Sequence, residues 1–225
     1  VRQLPLAIGP EPLQTFDSFV AGANAAVVAN LGTITEQAGA PVYLWGASGS
    51  GKTHLLRALM HALHTHGAQV GWFDGSMAMP WPFNEAWSLI VLDGCETFDE
   101  AQQQAAFSLF IDAMSHGTRV AASGSVPPVD LPLRDDLRTR LGWGPVFALE
   151  PLGEADARAV LRREAARRGI VLSDDVLGFL LTRFSRDLKH LMTLLERLDE
   201  FALAEHRAVT VPLLRKLFEE EGATL

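Results

Sequence analysis

The stretch Pro41 to Thr53, PVYLWGASGSGKT, constrains the fold more than any other. It opens as a short apolar run, breaks at glycines, and resumes at Lys52-Thr53 as the start of an amphipathic segment. The spacing G-x-x-x-x-G-K-T is met in full by Gly46, Gly51, Lys52 and Thr53, with Gly49 inside it. Glycines admit backbone conformations closed to other residues and let several N–H groups converge on one anion. A helix start adds unpaired donors and the positive end of its dipole. Lysine at this place reaches the β- and γ-phosphates, and the threonine hydroxyl holds Mg²⁺. The pattern predicts a strand–loop–helix cradle for ADP or ATP with Mg²⁺, and Ser50 and His54 are expected among its contacts.

A chain of 225 residues suits one α/β domain with a small appendage. No apolar run approaches the ~20 residues a membrane span needs. The start, VRQLPLAIG, has no long apolar region of the signal-peptide kind. Cys95 is the single cysteine, so no intrachain disulfide can form and a reducing cytoplasm is the expected compartment. A formal charge of −8 argues against broad electrostatic binding to DNA, though not against a local basic surface.

Residues 1 to 14, VRQLPLAIGPEPLQ, carry three prolines and neither a helical nor a strand period. They read as a flexible tail. Leu4 and Leu6, after Gln3, put apolar side chains on it, which either dock in a partner's groove or pack on their own domain. In TFDSFVAGANAAVVANL, Thr15, Phe16 and Phe19 form an apolar entry, and Asn24 opens a helix expected to run to about Gln37. After the phosphate loop, THLLRALMHALHTHG is an amphipathic helix with Leu55, Leu59 and Leu63 inward. Its His61, His64 and His66 lack the i, i+4 spacing of a helical metal site.

Four more strands follow the first. QVGWFD is the second, and the tryptophan of the SMAMPWPF loop after it reads as packing. WSLIVLDG is the third, buried from Leu89 to Leu92 and ending on Asp93, where a P-loop fold puts the carboxylate of the magnesium shell. DEAQQQAAFSLFIDAMSHG is a helix and TRVAASG the fourth strand, where Ser123 or Ser125 could sense a γ-phosphate or serve a turn. VPPVDLPLRDDLRTRLGWG is a loop and a short arginine-bearing helix stopped by Gly142 and Gly144, and VFALEPL is the last strand. From Leu152 the pattern is helical only, in four amphipathic segments. Ser173 and Thr210 read as caps, and Gly169 and Gly222 as stops. Arg162, Arg163, Arg167 and Arg168 make a basic run, with Glu164 placed to pair with Arg168. The expected organisation is a flexible tail over 1–14, an α/β core over 15–151 with a parallel five-stranded sheet, and an all-helical lid over 152–225.

Strand, phosphate loop and helix, a carboxylate-ended strand, an arginine helix and a helical lid together resemble an AAA+ module. The closer resemblance is to the bacterial replication initiator DnaA and covers almost the whole chain. TFDSFVAGANAA is similar to that family's nucleotide-pocket entry, LRTRLGWGPVFALEPL to its arginine-finger box, and SRDLKHLMTLLERL to its second sensor helix. The initiator also carries a C-terminal helix-turn-helix for origin DNA, which a chain ending at Leu225 is expected to lack. The opening QLPL resembles the Q-L-x-L core of peptides that bind the polymerase sliding clamp (β clamp). The combination resembles the DnaA-related regulators that inactivate DnaA after replication starts.

The resemblance implies roles for particular residues. Gly46, Gly49, Gly51, Lys52 and Thr53 would hold phosphates, Thr53 and Asp93 the metal, and Arg186 would reach the nucleotide from the lid. Arg140 would be the finger offered to a neighbouring subunit's nucleotide, with Arg134 and Arg138 as competitors and an ion pair to Asp135 or Asp136 as the alternative. Gln3, Leu4, Pro5 and Leu6 would bind the clamp. The implied partners are DnaA, the clamp and, through the clamp complex, DNA; a homo-oligomer stays open. The family's acidic residue after the metal carboxylate is replaced by Gly94, so weak or absent ATP hydrolysis by this chain alone is expected, with Glu96 the nearest alternative base. Ser125 stands where the family carries an aspartate. Other readings are an autonomous AAA+ ATPase or helicase loader, a P-loop metabolic kinase, and a passive DnaA-binding module.

Overall fold

The structure, a computed structural model, describes residues 13–34, 40–183, 188–205 and 209–220. Gln3, Leu4, Pro5, Leu6, Arg186 and Gly222 lie outside those residues. The chain divides into two compact units, one of them Leu13–Glu150 and the other containing Pro151–Leu225.

In the first unit a 3₁₀ turn, Gly22–Asn24, leads into α1 (Ala25–Ile34). Then come β1 (Val42–Trp45), α2 (Lys52–Thr65), β2 (Gln69–Asp74), β3 (Trp87–Asp93), α3 (Glu100–His116), β4 (Arg119–Gly124), α4 (Asp135–Leu141) and β5 (Val146–Ala148). The five strands form one sheet in the order β2-β3-β4-β1-β5, every pair parallel. Strand side chains alternate between faces, so a sheet covered on both sides needs continuous apolar strands. Val42, Leu44, Leu89 and Val91 pack with Leu55, Leu56, Leu59 and Leu63 of α2 on one face. Tyr43, Ile90, Leu92 and Val120 pack with Ala106, Leu109, Phe110 and Ala113 of α3 on the other. Trp81 of the 75–86 loop is buried in that second cluster, a packing role.

Helix α3 shows how local chemistry sets its limits. Asp99 Oδ1 accepts from the Gln102 amide (2.8 Å) and Gln102 Oε1 from the Asp99 amide (3.1 Å), a reciprocal cap. Asn24 departs from the sequence reading. It lies in the 3₁₀ turn and is buried, and its carboxamide bonds the backbone of Glu150 instead of opening the helix.

The second unit holds α5 (Glu154–Arg167), α6 (Asp174–Arg183), α7 (Leu188–Glu205) and α8 (Val211–Glu220) around Leu161, Leu177, Leu180, Leu191, Leu195, Leu198 and Leu214. The Ser173 and Thr210 hydroxyls accept from the Val176 and Leu213 amides (3.3 and 3.4 Å), the capping expected of them. Three of the arginines in the run are matched by carboxylates: Arg162 pairs with Asp174, Arg167 with Glu164 (2.6 Å), and Arg168 with Glu164 and Glu196 (both 3.0 Å). Among the described residues no helix is long and apolar enough to cross a membrane.

Candidate nucleotide site

The glycine loop runs from the end of β1 into α2, which starts at Lys52 with Gly51 as its N-cap. Gly51 has φ +98°, a conformation that favours glycine, and a Cβ there would lie 2.5 Å from the Phe19 ring. The apolar entry is therefore seated on the loop itself. No side chain caps the first turn of α2, so the positive helix end is presented to whatever the loop holds. The Lys52 ammonium lies along the loop, donating to the carbonyls of Gly46 (2.8 Å) and Ala47 (2.9 Å).

The sheet order puts β3 next to β4, and Asp93 ends β3 beside the end of β4. Both its carboxylate oxygens are engaged: Thr53 Oγ1 donates to Oδ2 at 2.8 Å, and Ser123 Oγ to Oδ1 at 2.5 Å. The loop's threonine and the strand's carboxylate are thus brought together from positions 40 residues apart. This donor set suits Mg²⁺, which takes oxygen ligands and is commonly held by one or two carboxylates together with substrate phosphates. Ser50 Oγ, in the wall of the loop, is buried and has no hydrogen-bond partner among the described residues. A buried hydroxyl left unpaired is costly, and a phosphate oxygen is a fitting partner. The residues present therefore fit a nucleotide with its metal.

His54 is engaged by the entry segment. Its Nε2 lies 3.0 Å from the Thr15 carbonyl and 3.1 Å from Ser18 Oγ, and its ring packs 5.3 Å from that of Phe19. Thr15 and Ser18 cap each other reciprocally, amide to hydroxyl, at 2.9 and 3.1 Å. The clasp between entry and α2 was not read from the sequence, although Thr-x-x-Ser spacing is a capping signal.

The structure places three residues at the strand ends. Ser123, read as a candidate γ-phosphate sensor, is fully buried and spends its hydroxyl on Asp93 and on the Gly94 amide (2.9 Å). Ser125 is exposed. Glu96, the alternative base, has its Oε2 buried without a partner. It lies near Tyr43 and Cys95, whose pKa values burial raises first and this carboxylate raises further. Gly94 takes φ +68°, so the chain turns left-handed at the position where the family's acidic residue would stand.

The arginines of α4 and its N-cap are distinguished by their partners. Arg134 pairs with Asp136 (2.8 Å) and Arg138 with Asp135 (2.5 Å). The Arg134 contact lowers the Asp136 pKa, through its hydrogen bond above all. Arg140 takes neither carboxylate. Its guanidinium lies over Trp143 at 4.7 Å and Phe107 at 5.0 Å, with Phe110 at 6.0 Å. Trp143 is 57% exposed, so this cation sits on an aromatic shelf at the surface.

A parallel sheet in this order, with a glycine loop after β1 and a carboxylate ending β3, defines a P-loop module of the AAA+ type. A family model described as the bacterial DnaA ATPase domain matches residues 11–73, and one described as the lid domain of Hda matches residues 154–218. Among solved structures, domain III of DnaA from Thermotoga maritima is similar at TM-score 0.77 and 20% identity, over 94% of this chain and 98% of that one. AMPPCP-bound DnaA from Aquifex aeolicus is similar at TM-score 0.71 and 18% identity, over 94% and 71%. The RuvB branch-migration motor of Thermotoga maritima is similar at 0.69 and 15%, over 92% and 72%, a likeness of fold. The chain has an AAA+ fold and is similar to DnaA over residues 11–73 and to the lid of Hda over residues 154–218.

Proposed function

We propose that this protein is a cytoplasmic, nucleotide-bound inactivator of DnaA that supplies Arg140 to the ATP held by DnaA and so promotes its hydrolysis. The observation that carries the reading is the state of Arg140: unlike Arg138 of α4 and Arg134 at its N-cap, it is bound to no carboxylate of that helix, and it lies on an exposed aromatic shelf. A guanidinium is always charged and can bridge phosphate oxygens as charge develops in phosphoryl transfer. An ion pair on its own helix would have to be broken first; an aromatic shelf orients the group while leaving its N–H donors available.

In this reading ADP or ATP with Mg²⁺ occupies the cradle of Gly46, Gly49, Ser50, Gly51, Lys52 and Thr53, with Asp93 at the metal, and Arg186 reaches it from the lid. Gln3, Leu4, Pro5 and Leu6 bind the sliding clamp on DNA and bring Arg140 to its target. Left-handed Gly94 and the buried Glu96 oxygen support a division of labour in which this chain assists hydrolysis elsewhere and turns over little nucleotide itself.

The deciding experiment mixes the protein with DNA-loaded clamp and ATP-bound DnaA and follows phosphate release. Stimulation that depends on Arg140, and on clamp binding lost in a Gln3→Ala, Leu6→Ala variant, is expected. Absence of stimulation removes the reading. Steady ATP turnover by this chain alone, abolished by Lys52→Ala, would favour an autonomous ATPase or helicase loader.

A further inference from the structure

We infer that Ser123 is a positioning residue for the metal site: its hydroxyl fixes the Asp93 carboxylate in the orientation that a nucleotide-bound Mg²⁺ requires. The inference rests on the reading of Asp93 as the metal carboxylate.

The hydrogen bonds around Ser123 admit one direction. The Gly94 amide can only donate, and it points at Ser123 Oγ from 2.9 Å. An ionised carboxylate can only accept, and Asp93 Oδ1 lies 2.5 Å from the same hydroxyl. The proton of Ser123 therefore goes to Asp93, and its oxygen takes the amide. Ser123 is 0% exposed, so water does not compete for the hydroxyl. The neighbouring strand supplies this contact because Leu92 pairs with Ala122, which sets the next residues on β3 and β4 side by side.

The two oxygens of Asp93 are held differently. Oδ2 is bonded to Thr53 Oγ1, the hydroxyl expected to turn to a bound metal. Oδ1 is bonded to a residue with no such second task. When Thr53 moves to the metal, Ser123 still holds the carboxylate. A hydroxyl so committed does not read a third phosphate, which separates this role from the sensor expected at the strand end. Partners of this kind, acting on a metal ligand and not on the metal, typically change metal affinity about 10- to 100-fold when removed.

The test is ADP binding by calorimetry to the full chain, with MgCl₂ and with EDTA, in the wild type and in Ser123→Ala, Ser123→Thr and Asp93→Asn. The enhancement of ADP affinity by magnesium should fall about tenfold or more in Ser123→Ala and in Asp93→Asn, and return in Ser123→Thr, which keeps the hydroxyl. Binding in EDTA should stay within about twofold of wild type, which also reports an intact fold. If Ser123→Ala keeps the full enhancement while Asp93→Asn loses it, the inference is overturned and the metal reading stands. If Asp93→Asn also keeps it, the metal reading itself is wrong. Weaker binding by Ser123→Ala in EDTA as much as in magnesium would make the residue merely structural, and would likewise overturn the inference.

Discussion

The Asn24 carboxamide closes both hydrogen bonds of the Glu150 backbone, Nδ2 donating to its carbonyl and Oδ1 accepting from its amide, each at 2.9 Å across 126 positions of sequence. The pairing ties the turn before α1 to the exit of β5. Its neighbour Leu149 in turn donates its amide to the Trp45 carbonyl (2.7 Å) at the mouth of the glycine loop. Asn24→Ala should lower stability by about 1–3 kcal/mol, since it leaves two backbone groups without their partner. Asn24→Asp, which keeps the acceptor and loses the donor, should fall between. Urea unfolding checks both, and an unmoved midpoint in the alanine variant would count against the clasp.

Arg140→Ala should reduce stimulated phosphate release from ATP-bound DnaA on the order of 10³-fold, the scale of an arginine finger, while association with DnaA persists. Arg140→Lys should not restore it, because an ammonium neither forms a bidentate fork nor stacks as a plane. Arg138→Ala should stay within a few-fold of wild type, Arg138 being committed to Asp135. Trp143→Ala should cost about fivefold, the scale of one exposed cation–π contact. Equal losses for Arg138 and Arg140 would move the finger to another register.

His54→Ala should weaken ADP binding and loosen residues 13 to 20, because the clasp to Thr15 and Ser18 is made by its Nε2. His54→Gln, which can place an N–H donor near the same carbonyl, should recover part of both. Hydrogen exchange at those residues with and without ADP is the measurement. Unchanged exchange in the alanine variant would remove the clasp as a determinant.

Cys95 gives a prediction at alkaline pH. Burial raises its thiol pKa first, and the charges of Glu96 and Asp93 raise it further. A folded value above the unfolded one favours folding while the thiol is protonated in both states. That contribution is complete below about pH 8.5, the ordinary thiol value, and declines as the pH climbs toward the raised folded value. Stability should fall by up to about 1.4 kcal/mol per pH unit for this one proton. In Cys95→Ala the decline between about pH 8.5 and 10 should be shallower. A thiol reagent should react with Cys95 only as fast as the protein opens.

Glu164 gives the opposite sign. The Arg167 hydrogen bond chiefly lowers its pKa, opposed by burial and aided by Arg168. Its contribution is complete above the ordinary carboxylate value and is lost as the pH falls through the lowered one. Glu164→Gln should cost about 1 kcal/mol at neutral pH, allowing for the solvent exposure of the pair, and the difference should close in acid. A constant difference across the pH range would exclude the ion pairs as its cause.

What the sequence determined by itself is what repeats locally. The period of the strands, the apolar stripe of α2, the serine and threonine caps of the lid and the spacing from Gly46 to Thr53 are each set within one or two turns of chain. Such patterns act through neighbours a few residues away, so they survive being read in one dimension. They were enough for the sheet, the cradle, the strand that ends in Asp93 and the four helices after Pro151. They could not say which of Arg134, Arg138 and Arg140 would find a carboxylate, because all three stand close in sequence around the same two acids. Nor could they say that Ser123 would face Asp93, that Asn24 would meet Glu150, or that the Glu96 oxygen would turn inward. Those outcomes depend on which strand lies beside which, and only the closed sheet, by setting distant residues within hydrogen-bond reach and excluding water between them, decides that.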